Sequence, residues 1–80
     1  MDKAQEIINF IEEEMLDDDI EIKNDMSLFR GRVLDSLKMA RLISFLERTY
    51  GIKVKMMDII YENFDTINNM VDYVDRKKES

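Results

Sequence analysis

Apolar residues recur at intervals of three and four in three separate stretches of this chain, a period that calls for helices packed on one another. Residues 3 to 16 put Ala4, Ile7, Ile8, Ile11 and Met15 on one stripe, with Glu12, Glu13 and Glu14 largely opposite. Asp17-Asp18-Asp19 closes this first helix, because Asp is a poor interior residue and three adjacent carboxylates repel the negative helix end. Leu37, Ala40, Ile43, Leu46 and Tyr50 form a second stripe, broadened by Leu42 and Phe45, and Gly51 stands where a helix C-cap belongs. Asp65 or Thr66 caps a last helix in which Ile67, Met70, Val71 and Val74 share a face, and its basic end Arg76-Lys77-Lys78 suits the negative pole. Ile52-Lys53-Val54 is too short for a sheet, and Met57 to Glu62 reads as a short third helix before Asn63 and Phe64. The expected fold is all-α: a four-helix bundle with a long loop between helices one and two and a short third helix.

The long loop runs to about Asp35 and contains Ile20, Ile22, Leu28, Phe29, Val33 and Leu34, enough apolar surface to pack against the helices. Loops of this length in compact domains are often functional. With 80 residues, no Pro, two Gly and 45% hydrophobic content, the chain is expected to form one domain spanning 1–80. A chain of this size buries roughly 60–65% of its unfolded surface, which leaves no room for a deep catalytic cleft. The sequence has no Cys and no His, so the thiolate nucleophile, the usual neutral-pH base and the commonest transition-metal ligands are all missing. No catalytic residue and no metal site is expected. The charged start MDKAQEIINF and the absence of any apolar run near the roughly 18 residues of a membrane span point to a cytoplasmic monomer without membrane insertion.

Net charge is −6, which opposes nucleic-acid binding, since phosphates need a basic face. Its distribution is uneven. Residues 1 to 29 carry ten acids and two bases, residues 30 to 41 four bases and one acid, and residues 42 to 80 seven acids and six bases. A basic island of Arg30, Arg32, Lys38 and Arg41 therefore interrupts an acidic molecule.

At Leu34-Asp35-Ser36-Leu37 the loop runs into the second helix. Asp35 there supplies a capping carboxylate, and Ser36 sits exposed near the positive helix end, where a phosphodiester would be stabilised. No base accompanies Ser36, so it suits being modified by another enzyme better than acting as a hydrolase nucleophile.

The stretches LFRGRVLDSL, KMARLISFLERTYGIKV and ENFDTINNMVDYV, in an acidic chain of 80 residues, make the sequence resemble the acyl carrier protein family over nearly its whole length. In that family Asp-Ser-Leu opens the second helix. The resemblance implies that a phosphopantetheinyl transferase moves 4'-phosphopantetheine from coenzyme A onto Ser36, flanked by Asp35 and Leu37. The arm's thiol would then carry acyl or aminoacyl thioesters between a loading ligase or synthase and downstream acyl-transfer enzymes. Such a role needs no cysteine, because the cofactor brings its own sulfur. Lys38 and Arg41 stand where fatty-acid carriers usually have acids, so the island of Arg30, Arg32, Lys38 and Arg41 is expected to dock partners. Gly31 lies one position earlier than in the similar Leu-Phe-x-x-Gly-Leu-Leu-Asp-Ser pattern of stand-alone bacterial aminoacyl and D-alanyl carriers, and Lys55 replaces a common Pro. The spacing of Asn63-Phe64-Asp65-Thr66 and Asn68 looks closer to D-alanyl and other specialised carriers than to the housekeeping fatty-acid type.

Plainer readings stand beside these. Ser36 alone is an ordinary helix-start residue, Met15, Met39, Met56, Met57 and Met70 are more often core and surface filler than an adaptable interior, and a surface charge cluster usually only balances its neighbours. Asp17, Asp19 and Glu21 hint at a calcium loop, but Ile22 occupies the position that needs Gly and the closing Glu is missing. The alternative to a carrier is a cofactor-free helical interaction module with a degenerate carrier fold.

Overall fold

The computed structural model describes residues 2–14 and 21–79. Four helices follow in order: α1 (Lys3–Glu14), α2 (Ser36–Tyr50), α3 (Tyr61–Phe64) and α4 (Ile67–Glu79), with a single 3₁₀ turn, Met56–Asp58, before α3. Among the described residues there is no strand, and no helix is long and apolar enough to cross a membrane. The expected architecture is the observed one.

Three long helices converge on one apolar core. Ile7, Ile8 and Ile11 of α1 meet Met39, Leu42 and Leu46 of α2 and Ile67, Met70, Tyr73 and Val74 of α4. The long loop closes that core with Ile22, Leu28, Val33 and Leu34, all buried as the sequence implied, while Phe29 is half-buried. At the other end Phe10 of α1 stacks on Phe45 of α2, with ring centroids 4.1 Å apart. Tyr50 sets its edge against Phe45, and its hydroxyl lies 3.4 Å from both the Lys3 carbonyl and Glu6 Oε1. Burial, and then the Glu6 carboxylate, push the Tyr50 phenol up to about 12.

The helix ends follow capping chemistry. Asp35 adopts extended backbone geometry and accepts from the Lys38 N–H, and Gly51, at φ 66°, closes α2 by donating its N–H to the Glu47 carbonyl. At the start of α4 it is Thr66 that caps, its Oγ1 accepting from the Asn69 N–H at 3.0 Å. Asp65 is committed elsewhere, to the long loop.

Several sequence expectations are corrected. The short third helix was expected over Met57 to Glu62, but the chain makes a 3₁₀ turn, extends at Ile60 (φ −133°, ψ 161°) and only then forms α3. Ile59 and Ile60 are 42% and 49% exposed, so little apolar burial is available to hold that short stretch in a helix. On α2 the core seam is Met39, Leu42 and Leu46, whereas Leu37 and Ala40 are exposed. Apolar residues cover more than half the circumference of this helix, so periodicity alone could not choose the sector facing inward. Tyr73 joins the core seam of α4, and Val71 sits at its edge. Met39 and Met70 are buried, Met56 and Met57 are exposed. The last two residues expected for helix one, Met15 and Leu16, the Asp17-Asp18-Asp19 stop, the hinted calcium positions Asp17 and Asp19, and the core candidate Ile20 lie outside the described residues.

The two faces of α2 separate experimentally. Leu46 is fully buried and Leu37 is 74% exposed. Leu46→Ala should cost about 2–5 kcal/mol in chemical denaturation, whereas Leu37→Ala should change stability by no more than about 0.5 kcal/mol.

Candidate functional site

Ser36 is the first residue of α2 and is exposed. Its position is set from both sides. Downstream, Asp35 Oδ1 accepts from the Lys38 N–H at 2.9 Å and the Asp35 carbonyl accepts from the Met39 N–H at 2.8 Å, which fixes the first helical turn. Upstream, the Val33 and Leu34 N–H groups both donate to the Leu28 carbonyl, at 2.9 and 3.2 Å, while their side chains are buried. The loop therefore enters the helix along one path, with the Ser36 hydroxyl facing outward.

That loop is anchored to the junction of α3 and α4. Ser27 Oγ donates to Asp65 Oδ1 at 2.8 Å, the Phe29 N–H approaches the same oxygen at 3.4 Å, and the Leu28 N–H donates to the Asp65 carbonyl at 2.7 Å. Asn68 N–H donates to the Asn24 carbonyl at 3.0 Å. Asp65, expected only as a possible cap, is the residue that ties the loop down.

Ser36 opens on an apolar groove of about 640 Å³. One wall comes from α2, through Met39, Ala40 and Ile43; the other comes from Ile59, Ile60, Tyr61 and Phe64, with Phe29 of the loop between. Ser36, Ala40 and Ile43 follow one another at spacings of four and three, so they share a helix face. Of the stripe read from the sequence, Ala40 and Ile43 line this groove, whereas Leu46 is buried in the core and Leu37 is exposed. Phe29 and Tyr61 meet edge to face, centroids 5.0 Å apart. Glu62 is the charged residue on the lining.

The other expected residues distribute around this site. Leu37 projects outward beside Ser36; Arg30 and Arg32 are exposed on the loop, and Lys38 is half-buried. Arg41 lies farther along α2 and reaches Glu14 of α1 at 4.0 Å, both side chains more than half exposed, a pairing of little energetic weight. Ser27 has its hydroxyl engaged by Asp65, and Ser44 sits mid-helix on the surface. Among the described residues no group of acids could hold a metal ion.

Arg32 adopts a left-handed backbone at φ 60°, and it is the position where the similar carrier pattern has glycine. Gly31, one residue earlier, is not left-handed; its neighbour, the Ser27 carbonyl oxygen, would lie 3.3 Å from an added Cβ. The displaced glycine was the sequence signal for this strain. Replacing Arg32 with Gly should raise stability by about 1 kcal/mol, since a non-glycine residue in the left-handed region costs roughly 1–2 kcal/mol; the shift in denaturation midpoint measures it.

Comparison with known proteins gives the family and the fold. The family described as "Phosphopantetheine attachment site" matches residues 5–74. The D-alanyl carrier protein of Streptococcus suis is 35% identical over 71 residues, covering 89% of each chain. Those of Streptococcus sanguinis and Streptococcus uberis are 34% and 35% identical over 74 residues, covering 92% of each chain. A chain from a crystal structure of an FAD-dependent dehydrogenase superposes with a TM-score of 0.79 at 24% identity, over 86% of this chain and 99% of that one, a likeness of fold. The chain belongs to the acyl carrier protein family, carriers of acyl or aminoacyl thioesters on a covalently attached 4'-phosphopantetheine.

Proposed function

We propose that Ser36 is the attachment residue, that residues 1–80 act as one carrier domain without catalytic activity of its own, and that the cargo is an aminoacyl group of the D-alanyl kind. The observation that carries the first part is the exposed Ser36 hydroxyl on the first turn of a side-chain-capped helix, at the mouth of an apolar groove. Neither Ser27 nor Ser44 combines those features. The residues fit the group. The positive pole of α2 suits a phosphodiester, and Lys38, Arg30 and Arg32 add positive charge nearby. When bound, the group supplies a terminal thiol that holds the cargo as a thioester.

Asp35 holds the helix start through its cap, and the sequence has no His to serve Ser36 as a neutral-pH base. Activation of the hydroxyl therefore belongs to a transferase acting on coenzyme A. Carrier proteins work with ligases and transferases; for this chain we assign a loading ligase that activates a small amino acid, on the similarity to three D-alanyl carriers. The cytoplasm, where coenzyme A is at hand, is the proposed compartment. Lys38, Arg41, Arg30 and Arg32 are proposed to steer acidic or neutral enzyme surfaces toward Ser36.

Incubation with coenzyme A, magnesium and a broad-specificity phosphopantetheinyl transferase should add one phosphopantetheine to the intact mass, and Ser36→Ala should abolish the gain while helical content persists. Modification of Ser36→Ala would overturn the assignment. Charge reversal by Lys38→Glu plus Arg41→Glu should slow loading by the cognate ligase and improve reaction with a fatty-acid ketosynthase, both effects shrinking at high salt as screening shortens to about 3 Å at 1 M. Unchanged efficiencies at low salt would remove the docking role.

A further inference from the structure

The second wall of the groove has little apolar burial to hold it. Met56 and Met57 are 88% and 79% exposed, Ile59, Ile60 and Tyr61 are 42%, 49% and 66% exposed, and the 3₁₀ turn buries no residue. A helix of four residues such as α3 has no stability of its own. Phe64 at its end is the one apolar side chain of this segment that enters the core. Beyond the edge-to-face contact of Tyr61 with Phe29, something else must fix residues 59–62.

The polar contacts of Asp58 supply it. Tyr73 Oη donates to Asp58 Oδ2 at 2.8 Å, and Lys77 Nζ stands 3.4 Å from the same oxygen, with the Asp58 and Lys77 side chains only 24% and 23% exposed. Asn63 Nδ2 donates back to the Asp58 carbonyl at 2.8 Å, and Arg76 donates through Nη2 to Asn63 Oδ1 at 2.9 Å while its guanidinium lies 5.9 Å from the centre of the Tyr73 ring. Residues from one face of α4 thus grip both ends of the wall, at 58 and at 63. The Tyr73 hydrogen bond first, and then Lys77, hold the Asp58 carboxyl below its usual range against the opposing effect of partial burial. Burial and Asp58 together push the Tyr73 phenol up, which keeps it a donor.

We propose that Asp58 is a positioning residue for the groove: clamped by Tyr73 and Lys77, it fixes the wall that faces α2 and thereby the surface that a modifying or loading enzyme meets beside Ser36. The functional half of this proposal rests on Ser36 as the attachment residue. The geometric half does not. The clamp touches neither Ser36 nor its cap, so its loss should weaken enzyme docking more than turnover.

Native-state hydrogen exchange on the full chain tests the geometry. The amides of Asn63, Phe64 and Asp65 donate to Ile60 and Tyr61 carbonyls and report on the wall. In Tyr73→Phe and Asp58→Ala these amides should exchange about tenfold faster, as expected for loss of a hydrogen bond to a charged acceptor, with core amides of α1 and α2 much less affected. Asp58→Asn, which keeps an acceptor for Tyr73 but no charge for Lys77, should fall between. With the phosphopantetheinyl transferase, KM for the variants should rise several-fold while kcat changes less, and every variant should still gain the arm. Unchanged exchange at 63–65, an equal acceleration throughout α1 and α2, or an unchanged KM would overturn the proposal. Failure of the native chain to gain an arm on Ser36 would instead overturn the attachment reading, and the exchange result would stand by itself.

Discussion

The contact between the long loop and Asp65 is the constraint on which the rest depends. A loop without helix or strand carries backbone N–H and C=O groups that need partners, and burying it without them would cost more than its apolar side chains return. Asp65 resolves this at the junction of α3 and α4: its carboxylate takes the Ser27 hydroxyl and its carbonyl takes the Leu28 N–H. Leu28 in turn supplies the carbonyl that receives Val33 and Leu34. The chain of bonds runs from the last third of the sequence to the residue just before Asp35, so the start of α2 is placed by groups far away in sequence.

Two kinds of force divide the molecule. The α1, α2 and α4 seams are held by fully buried Ile, Leu, Val and Met side chains, an interaction proportional to area and indifferent to direction. The segment between residues 56 and 63 is held mainly by directed polar contacts to Tyr73, Lys77 and Arg76. Among the described residues no buried side-chain polar atom lacks a hydrogen-bond partner, so those contacts carry no desolvation penalty left uncompensated. The groove lies where the two regimes meet. Its α2 wall backs onto the core, and its other wall is held by Phe64, by the Phe29–Tyr61 ring contact and by those polar contacts.

Charge adds a third layer. The acidic first third of the chain and the basic stretch around α2 give a molecule of net charge −6 a local positive region beside Ser36. Surface pairs such as Arg41 with Glu14 are weak, so this region remains available to external charge. The docking role proposed for it concerns encounter rate and choice of partner, the properties that long-range fields govern.

The sequence by itself determined the three long helices, the caps of α2 at Asp35 and Gly51, the buried loop residues, the family and the exposed Ser36, because each is written in local patterns: a period, a capping side chain, a motif. Tertiary structure decided the rest. The apolar band of α2 is wider than one face, so whether Leu37 and Ala40 or Met39 and Leu42 turn inward depends on where α1 and α4 lie. Thr66 and Asp65 are both competent caps, and only the arrival of Ser27 and Leu28 gives Asp65 its other use. Tyr73 and Asp58 are 15 residues apart and carry no shared motif. Their pairing exists because α4 runs back along the 3₁₀ turn, a juxtaposition no local pattern encodes.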